Sequence, residues 1–167
     1  MRTVAVIQAR MGSTRLPNKV LAELGGRPML AQVVARVRRA RTIDEVVVAT
    51  TTTRHVDVIE DFCAREGIAC FRGSEDDVLD RYYQAARAFN ADVVVRITAD
   101  CPLHDPEVID AIVGHFDPAR HDYVSNTIRR SYPDGLDTEV IAMAALERAW
   151  RGATWASERE HVTPYIW

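Results

Sequence analysis

The sequence predicts an α/β fold, a three-layer sandwich around a mostly parallel sheet. Three observations predict it. Short Val/Ile-rich runs alternate with longer segments of helical period. One of those runs, "ADVVVRIT" (91–98), is apolar enough to be buried on both faces, as strands of parallel sheets are. A length of 167 residues, 47% hydrophobic and 27% charged, suits one domain over 1–167 with a real core.

The first strand is "TVAVIQA" (3–9), an apolar run that stops where turn chemistry starts. The loop behind it, "ARMGSTRLPNK" (9–19), holds the only lysine of the chain, Lys19. Gly12 lets that backbone turn or approach a ligand, and Pro17 fixes its own φ while biasing Leu16 toward extended geometry. Amide groups and cations converging after a strand can cradle a polyphosphate. The spacing is neither G-x-x-x-x-G-K-[ST] nor G-x-G-x-x-G, and a solvated basic loop is the competing reading.

Next comes a helix over "PMLAQVVARVRRA" (28–40), with Pro28 in its first turn and Leu30, Val33, Val34 and Val37 on one face. "DEVVVAT" (44–50) is the second strand. "VDVIEDFCARE" (56–66) is a helix with Ile59, Phe62 and Cys63 inward, closed by Gly67. "IACF" (68–71) is the third strand, and 75–90 a helix carrying Val78, Leu79, Tyr82, Ala86 and Phe89 at helical spacing. After the fourth strand (91–98), Asp105 and Pro106 mark the start of another helix. "RRSYPDGLDTEV" (129–140) reads as a hairpin about Pro-Asp-Gly. Asp137 and Glu139 alternate along its outgoing run and share a face, which turns toward a hydroxylated ligand or toward solvent. "SEREH" (157–161) matches a capping box, Ser157 with Glu160, and leaves His161 one turn into a helix.

A net charge of −3 argues against general affinity for nucleic acid or anionic membranes. It conceals an asymmetry: Arg10 to Arg41 contains eight basic residues and one acid, Glu23, a patch fit for a small anionic ligand. No run reaches membrane-spanning length, and the chain opens on a strand instead of a signal peptide, so the cytoplasm is the expected location. Three cysteines without C-x-x-C spacing support neither a disulfide framework nor zinc. Ligands of such sheets bind beyond the strands' carboxyl ends, which singles out loops 10–19, 50–54 and 98–105. In the last of these, "TADCPLHDP", Asp105 serves as the helix cap and leaves Asp100 free to hold Mg²⁺.

"IQARMGSTRLPNKVLAELGGRPML" resembles the opening of the sugar cytidylyltransferases, among them 3-deoxy-manno-octulosonate cytidylyltransferase and CMP-sialic acid synthetase. It is most similar to the spore-coat polysaccharide biosynthesis group. "DVLDRYYQAA", "RITADCPLHDPEVID", "YVSN", "YPDGLDTEV" and "SEREHVTPYI" resemble that group's blocks in its order. The resemblance implies a Rossmann-like nucleotide-diphospho-sugar transferase fold and transfer of CMP from CTP to a sugar or sugar acid, releasing pyrophosphate for glycan synthesis. It implies that Ala9, Arg10, Gly12, Ser13, Arg15, Lys19, Arg81 and Thr98 bind the nucleotide. Thr98 stands where the octulosonate enzymes carry glutamine. Asp100 matches the metal-binding aspartate and, with Arg10 and Lys19, makes the implied catalytic set. Asn126, Asp137, Glu139 and His161 fall in the sugar-side blocks. Homodimers are common in the resembled families. Their members continue past the "TPYI" block to a second metal-binding aspartate, whereas this sequence stops at Trp167. The expectations are then a substitute carboxylate such as Asp137, or a silent nucleotide- or sugar-binding module. A nucleotidyltransferase using another base is a further alternative, given Thr98.

Overall fold

Three Val/Ile-rich runs find apolar cover on both sides, and they lie side by side within one six-stranded sheet. They are seen in a computed structural model that describes all residues except 13–15, 17 and 53–56. The chain opens with β1 (Thr3–Gln8), a 3-10 turn (Lys19–Leu21), a ribbon of β2 (Glu23–Leu24) and β3 (Arg27–Pro28), and α1 (Met29–Val37). Then come β4 (Glu45–Thr51), α2 (Asp57–Arg65), β5 (Ala69–Gly73), α3 (Val78–Ala88), β6 (Val93–Thr98) and α4 (Pro106–Gly114). It closes with β7 (Tyr123–Ser125), β8 (Glu139–Ala142), α5 (Met143–Gly152) and α6 (Ala156–His161). The sheet order is β5-β4-β1-β6-β8-β7; only β8 runs against the others.

Period-two alternation sorts the strand residues into two cores. Ala5, Ile7, Val46, Val48, Val95 and Ile97 face α1, α2 and α4, joined by Val33, Ile59 and Ile109. Val4, Val6, Val47 and Val94 face the opposite way, under Leu79 and Tyr82 of α3, Leu146 of α5 and Val162 behind α6. Cys63 lies inside the first core, and Cys63, Cys70 and Cys101 are all free thiols. Among the described residues no helix is long and apolar enough to cross a membrane.

The register matters most for function. Val6 lies beside Arg96 and Gln8 beside Thr98, so β1 and β6 end together. The Ala9 N–H donates to the Ala49 carbonyl and the Ala99 N–H to the Gln8 carbonyl, each at 3.1 Å. The loops after β1 and β6 therefore leave from one rim.

Several elements differ from the sequence-based expectations. The helix expected at 75 begins at Val78, because the Asp77 carboxylate accepts from the Asp80 N–H at 2.8 Å and caps it there. The Pro-Asp-Gly segment is a turn but not a hairpin tip: β8 pairs with the more distant β7, Ser125 opposite Glu139. Asp137 precedes β8, so it and Glu139 do not share a strand. Asn126 explains the stop, since its side chain accepts from the Thr138 N–H and donates to the Leu136 carbonyl, both at 2.8 Å. The capping box sits two residues earlier than expected, with Trp155 as the cap residue: Glu158, not Glu160, accepts from the Thr154 and Trp155 N–H groups, both at 3.0 Å. The β2–β3 ribbon was not anticipated; Gly25 and Gly26 make its two-residue turn with φ of 61° and 80°.

Candidate active site

Where β1 and β6 end, the sheet, the 3-10 turn and α6 enclose an open cavity of about 310 Å³. Gln8 and Arg10 line it from β1, Lys19 from the turn, and Arg96, Thr98 and Asp100 from β6. Glu160 and His161 close the side toward α6.

Lys19 and Asp100 meet here, Nζ to Oδ2 at 2.9 Å, across 81 residues of sequence. Asn18 turns the chain into the 3-10 segment with φ of 58°, a left-handed geometry that asparagine tolerates better than most residues. Burial opposes ionisation of Asp100, but hydrogen bonds from Lys19 and Thr98 outweigh it and hold the carboxyl below the usual range. Both partners keep contact with water, their side chains 28% and 45% exposed, so the pair is one that an arriving ligand can break.

Arg81 is fully buried on α3. Its Nη1 donates to the Ser74 carbonyl at 2.5 Å, while Nε and Nη2 find no partner among the described residues. Burial lowers its pKa, and it feels the like charge of Arg10. Gly73 makes room for it: a Cβ there would come within 3.0 Å of the Arg81 Cγ.

α6 is held by Arg159, whose Nε donates to Asp77 Oδ2 at 2.9 Å and whose Nη1 donates to the Trp150 carbonyl at 2.6 Å. Directly after His161, Val162 adopts φ of 72° and ψ of −53°. The Thr163 N–H donates to the His161 carbonyl at 2.8 Å, completing a γ-turn of the strained, positive-φ kind.

The anticipated residues thus divide. Arg10, Lys19, Thr98, Asp100 and His161 share the cavity. Ala9 is buried at its edge with its N–H engaged by Ala49, and a Cβ at Gly12 would meet nothing within 4 Å among the described residues. Ser13 and Arg15 lie outside the described residues. Asn126, Asp137 and Glu139 are not among the cavity-lining residues. Asn126 spends its amide on the backbone clasp, and Asp137 lies 3.7 Å from Arg130 Nη2. Glu139 is 4% exposed and accepts from Arg96, from the Tyr123 hydroxyl at 2.7 Å and from the Thr163 hydroxyl at 2.7 Å. Burial first, then the charge of Glu139, pushes the Tyr123 phenol up to about 12. Sequence reasoning missed Arg96, although an arginine inside a Val/Ile run was a visible signal.

A three-layer α/β sheet with a basic loop and an acidic loop on one carboxyl rim is shared with the nucleotidyltransferases. A solved CMP:2-keto-3-deoxy-manno-octonic acid synthetase complexed with CTP superposes with a TM-score of 0.74 at 20% identity, covering 99% of this chain and 85% of that one, so the fold is a nucleotidyltransferase fold. The particular family follows from the sequence. Residues 4–167 match the cytidylyltransferase family over nearly the whole chain, and the chain belongs to that family. It is 39% identical over 168 residues to the spore coat polysaccharide biosynthesis protein SpsF of Bacillus subtilis, covering 96% of this chain and 68% of that one. The 3-deoxy-manno-octulosonate cytidylyltransferase of Anaeromyxobacter dehalogenans is 44% identical over 117 residues, 68% of this chain and 47% of its own length. A solved cytidylyltransferase from Leptospira borgpetersenii superposes with a TM-score of 0.94 at 36% identity, covering 99% of this chain and 71% of that one.

Proposed function

We propose that this protein transfers CMP from CTP to a hydroxyl of a sugar or sugar acid and releases pyrophosphate. The contact between Lys19 and Asp100 carries the reading, because it brings a phosphate-seeking cation and a metal-seeking carboxylate into one cavity. Arg10 and Lys19, with Gly12, Ser13 and Arg15 of the same loop, grip the triphosphate. Arg81, fully buried outside the cavity lining but within reach of the charge of Arg10, has Nε and Nη2 without a partner among the described residues, and it is assigned to the nucleotide side. Ala9 and Thr98 border the base and ribose.

Transfer of this kind asks for positioning and charge neutralisation more than for covalent chemistry. The sugar hydroxyl attacks the α-phosphorus in line, and the bond to the pyrophosphate oxygen breaks. Lys19 neutralises the charge building on that leaving group, a compact ammonium on a flexible stem that follows a moving charge better than the planar fork of arginine. Asp100 would hold Mg²⁺: one partly exposed carboxylate fits an ion that draws most of its ligands from water and substrate phosphates. Held there, such an ion would supply polarisation of the phosphoryl oxygens. His161, exposed on the far wall, meets the acceptor.

The test is pyrophosphate release from CTP with a panel of sugars and sugar acids. Lys19→Ala should lower turnover about 10²-fold or more, the scale of losing one preorganised transition-state contact. Unchanged turnover in that variant removes Lys19 from the mechanism. Nucleotide binding without pyrophosphate release from any panel member overturns the transferase reading.

A further inference from the structure

β6 carries an arginine among valines and isoleucines, and its surroundings give it a task that folding does not require. The Arg96 side chain is 18% exposed, and it lines the cavity. Behind it stands Glu139, 6% exposed at the side chain, which accepts from Nη1 and is closed off by the Tyr123 and Thr163 hydroxyls. Beneath it the Tyr82 ring centre lies 5.8 Å from the guanidinium carbon, a cation–π contact. Its Nε is buried and has no partner among the described residues. Apolar residues of similar volume often serve a fold as well as a buried ion pair does or better, so stability alone does not account for this one.

Position indicates what the group meets. Arg96 and Thr98 point to the same face of β6, and Asp100 follows just past its end. At about 3.3 Å per residue, Arg96 lies up to ~13 Å back along the sheet from Asp100, one sugar ring or more away from the phosphate grip. Its charge is also already balanced. Among the described residues Arg10 makes no ion pair and Lys19 a solvent-exposed one, so both can turn to a triphosphate, whereas Arg96 offers hydrogen-bond donors whose positive charge Glu139 compensates.

We propose that Arg96 determines acceptor specificity: its remaining Nη N–H groups donate to a carboxylate or hydroxyl oxygen of the acceptor sugar. Glu139 is the positioning residue that fixes the fork, and Tyr123 and Thr163 fix Glu139. The assignment rests on the cytidylyl-transfer reading above.

The experiment measures pyrophosphate release for wild type, Arg96→Lys, Arg96→Met and Glu139→Gln. The acceptors are 3-deoxy-manno-octulosonate and a library of sugar acids, each paired with its neutral counterpart, so that carboxylate and hydroxyl recognition separate. Arg96→Met should raise the acceptor KM about 30-fold and Arg96→Lys about tenfold, the range for losing hydrogen bonds from a charged donor. Glu139→Gln should raise it about fivefold. The KM for CTP, and the Kd of CTP with Mg²⁺ measured by calorimetry, should stay within about twofold in all three. A purely structural role would move both KM values and the melting temperature together. An acceptor KM that does not move, or a CTP affinity that moves as far as the acceptor KM, overturns the proposal. If wild type itself releases no pyrophosphate with any acceptor, the transfer reading falls and this assignment with it, a failure recognisable because no substitution is involved.

Discussion

Lys19 and Asp100 were legible as single residues. A lone lysine among arginines, and an aspartate spared capping duty by Asp105, each stand out in the sequence. Their distance was not legible, because it depends on strand register. Arg96 was hidden for a different reason: a charged residue in a buried strand reads as an ordinary exception until its counter-ion appears 43 residues later. His104 was passed over too. It is fully buried in the loop after β6, where Nε2–H donates to the Asp137 carbonyl at 3.2 Å and Nδ1 has no partner among the described residues. Burial, the dominant influence, depresses its pKa below the ordinary 6.5. The unfolded chain therefore binds this proton more readily than the folded one. Stability should be full above pH 6.5 and fall as pH drops from there toward the folded value. Urea denaturation of wild type and His104→Gln between pH 7.5 and 5 tests this: the variant should lose less stability over that interval. An equal slope in both proteins would assign the acid sensitivity elsewhere. Asp100, also depressed, acts in the same direction but only as pH falls below the ordinary 3.8, outside the interval from pH 7.5 to 5.

At the scale of elements, the buried strands β1, β4 and β6, the edge strand β5 and the helices between them were readable, because their patterns are strong and their turns conventional. The short pieces were not. β7 has three residues and β8 four, too few for alternation to register, and their partners are chosen by long-range pairing. The start of α3 shows how one side chain overrides a pattern. Asp77 caps α3 through Oδ1 and receives the Arg159 guanidinium of α6 on Oδ2, so a single carboxylate joins two helices over the cavity. Asp77→Ala should lower stability by about 1–3 kcal/mol, combining a lost cap with a stranded, partly buried arginine. Asp77→Asn, which can still cap, should lower it by less, and urea midpoints would rank the two. Equal effects would mean that the cap contributes little.

For the molecule as a whole, strand–helix alternation was enough to predict a parallel sheet and to place ligands at its carboxyl rim. What alternation could not supply was the reversed strand β8, which puts Glu139 beside Arg96 and carries the C-terminal segment back to the cavity. Ligand binding should stabilise the entire fold. CTP with Mg²⁺ at a hundred times its Kd should add about 2.7 kcal/mol, read as a rise in melting temperature. UTP, GTP and ATP at the same concentration should add less, and Lys19→Ala should reduce the CTP effect. Equal shifts with all four nucleotides would remove the preference for cytosine. The bend at Val162 bears on how such a signal spreads. The residue before it, His161, faces one wall of the cavity, and the residue after it, Thr163, holds Glu139 and so the guanidinium on the floor. With a stiff, β-branched pivot between them and no slack in the backbone, a tug on the chain beyond Val162 would tilt wall and floor together, like two jaws worked from one handle.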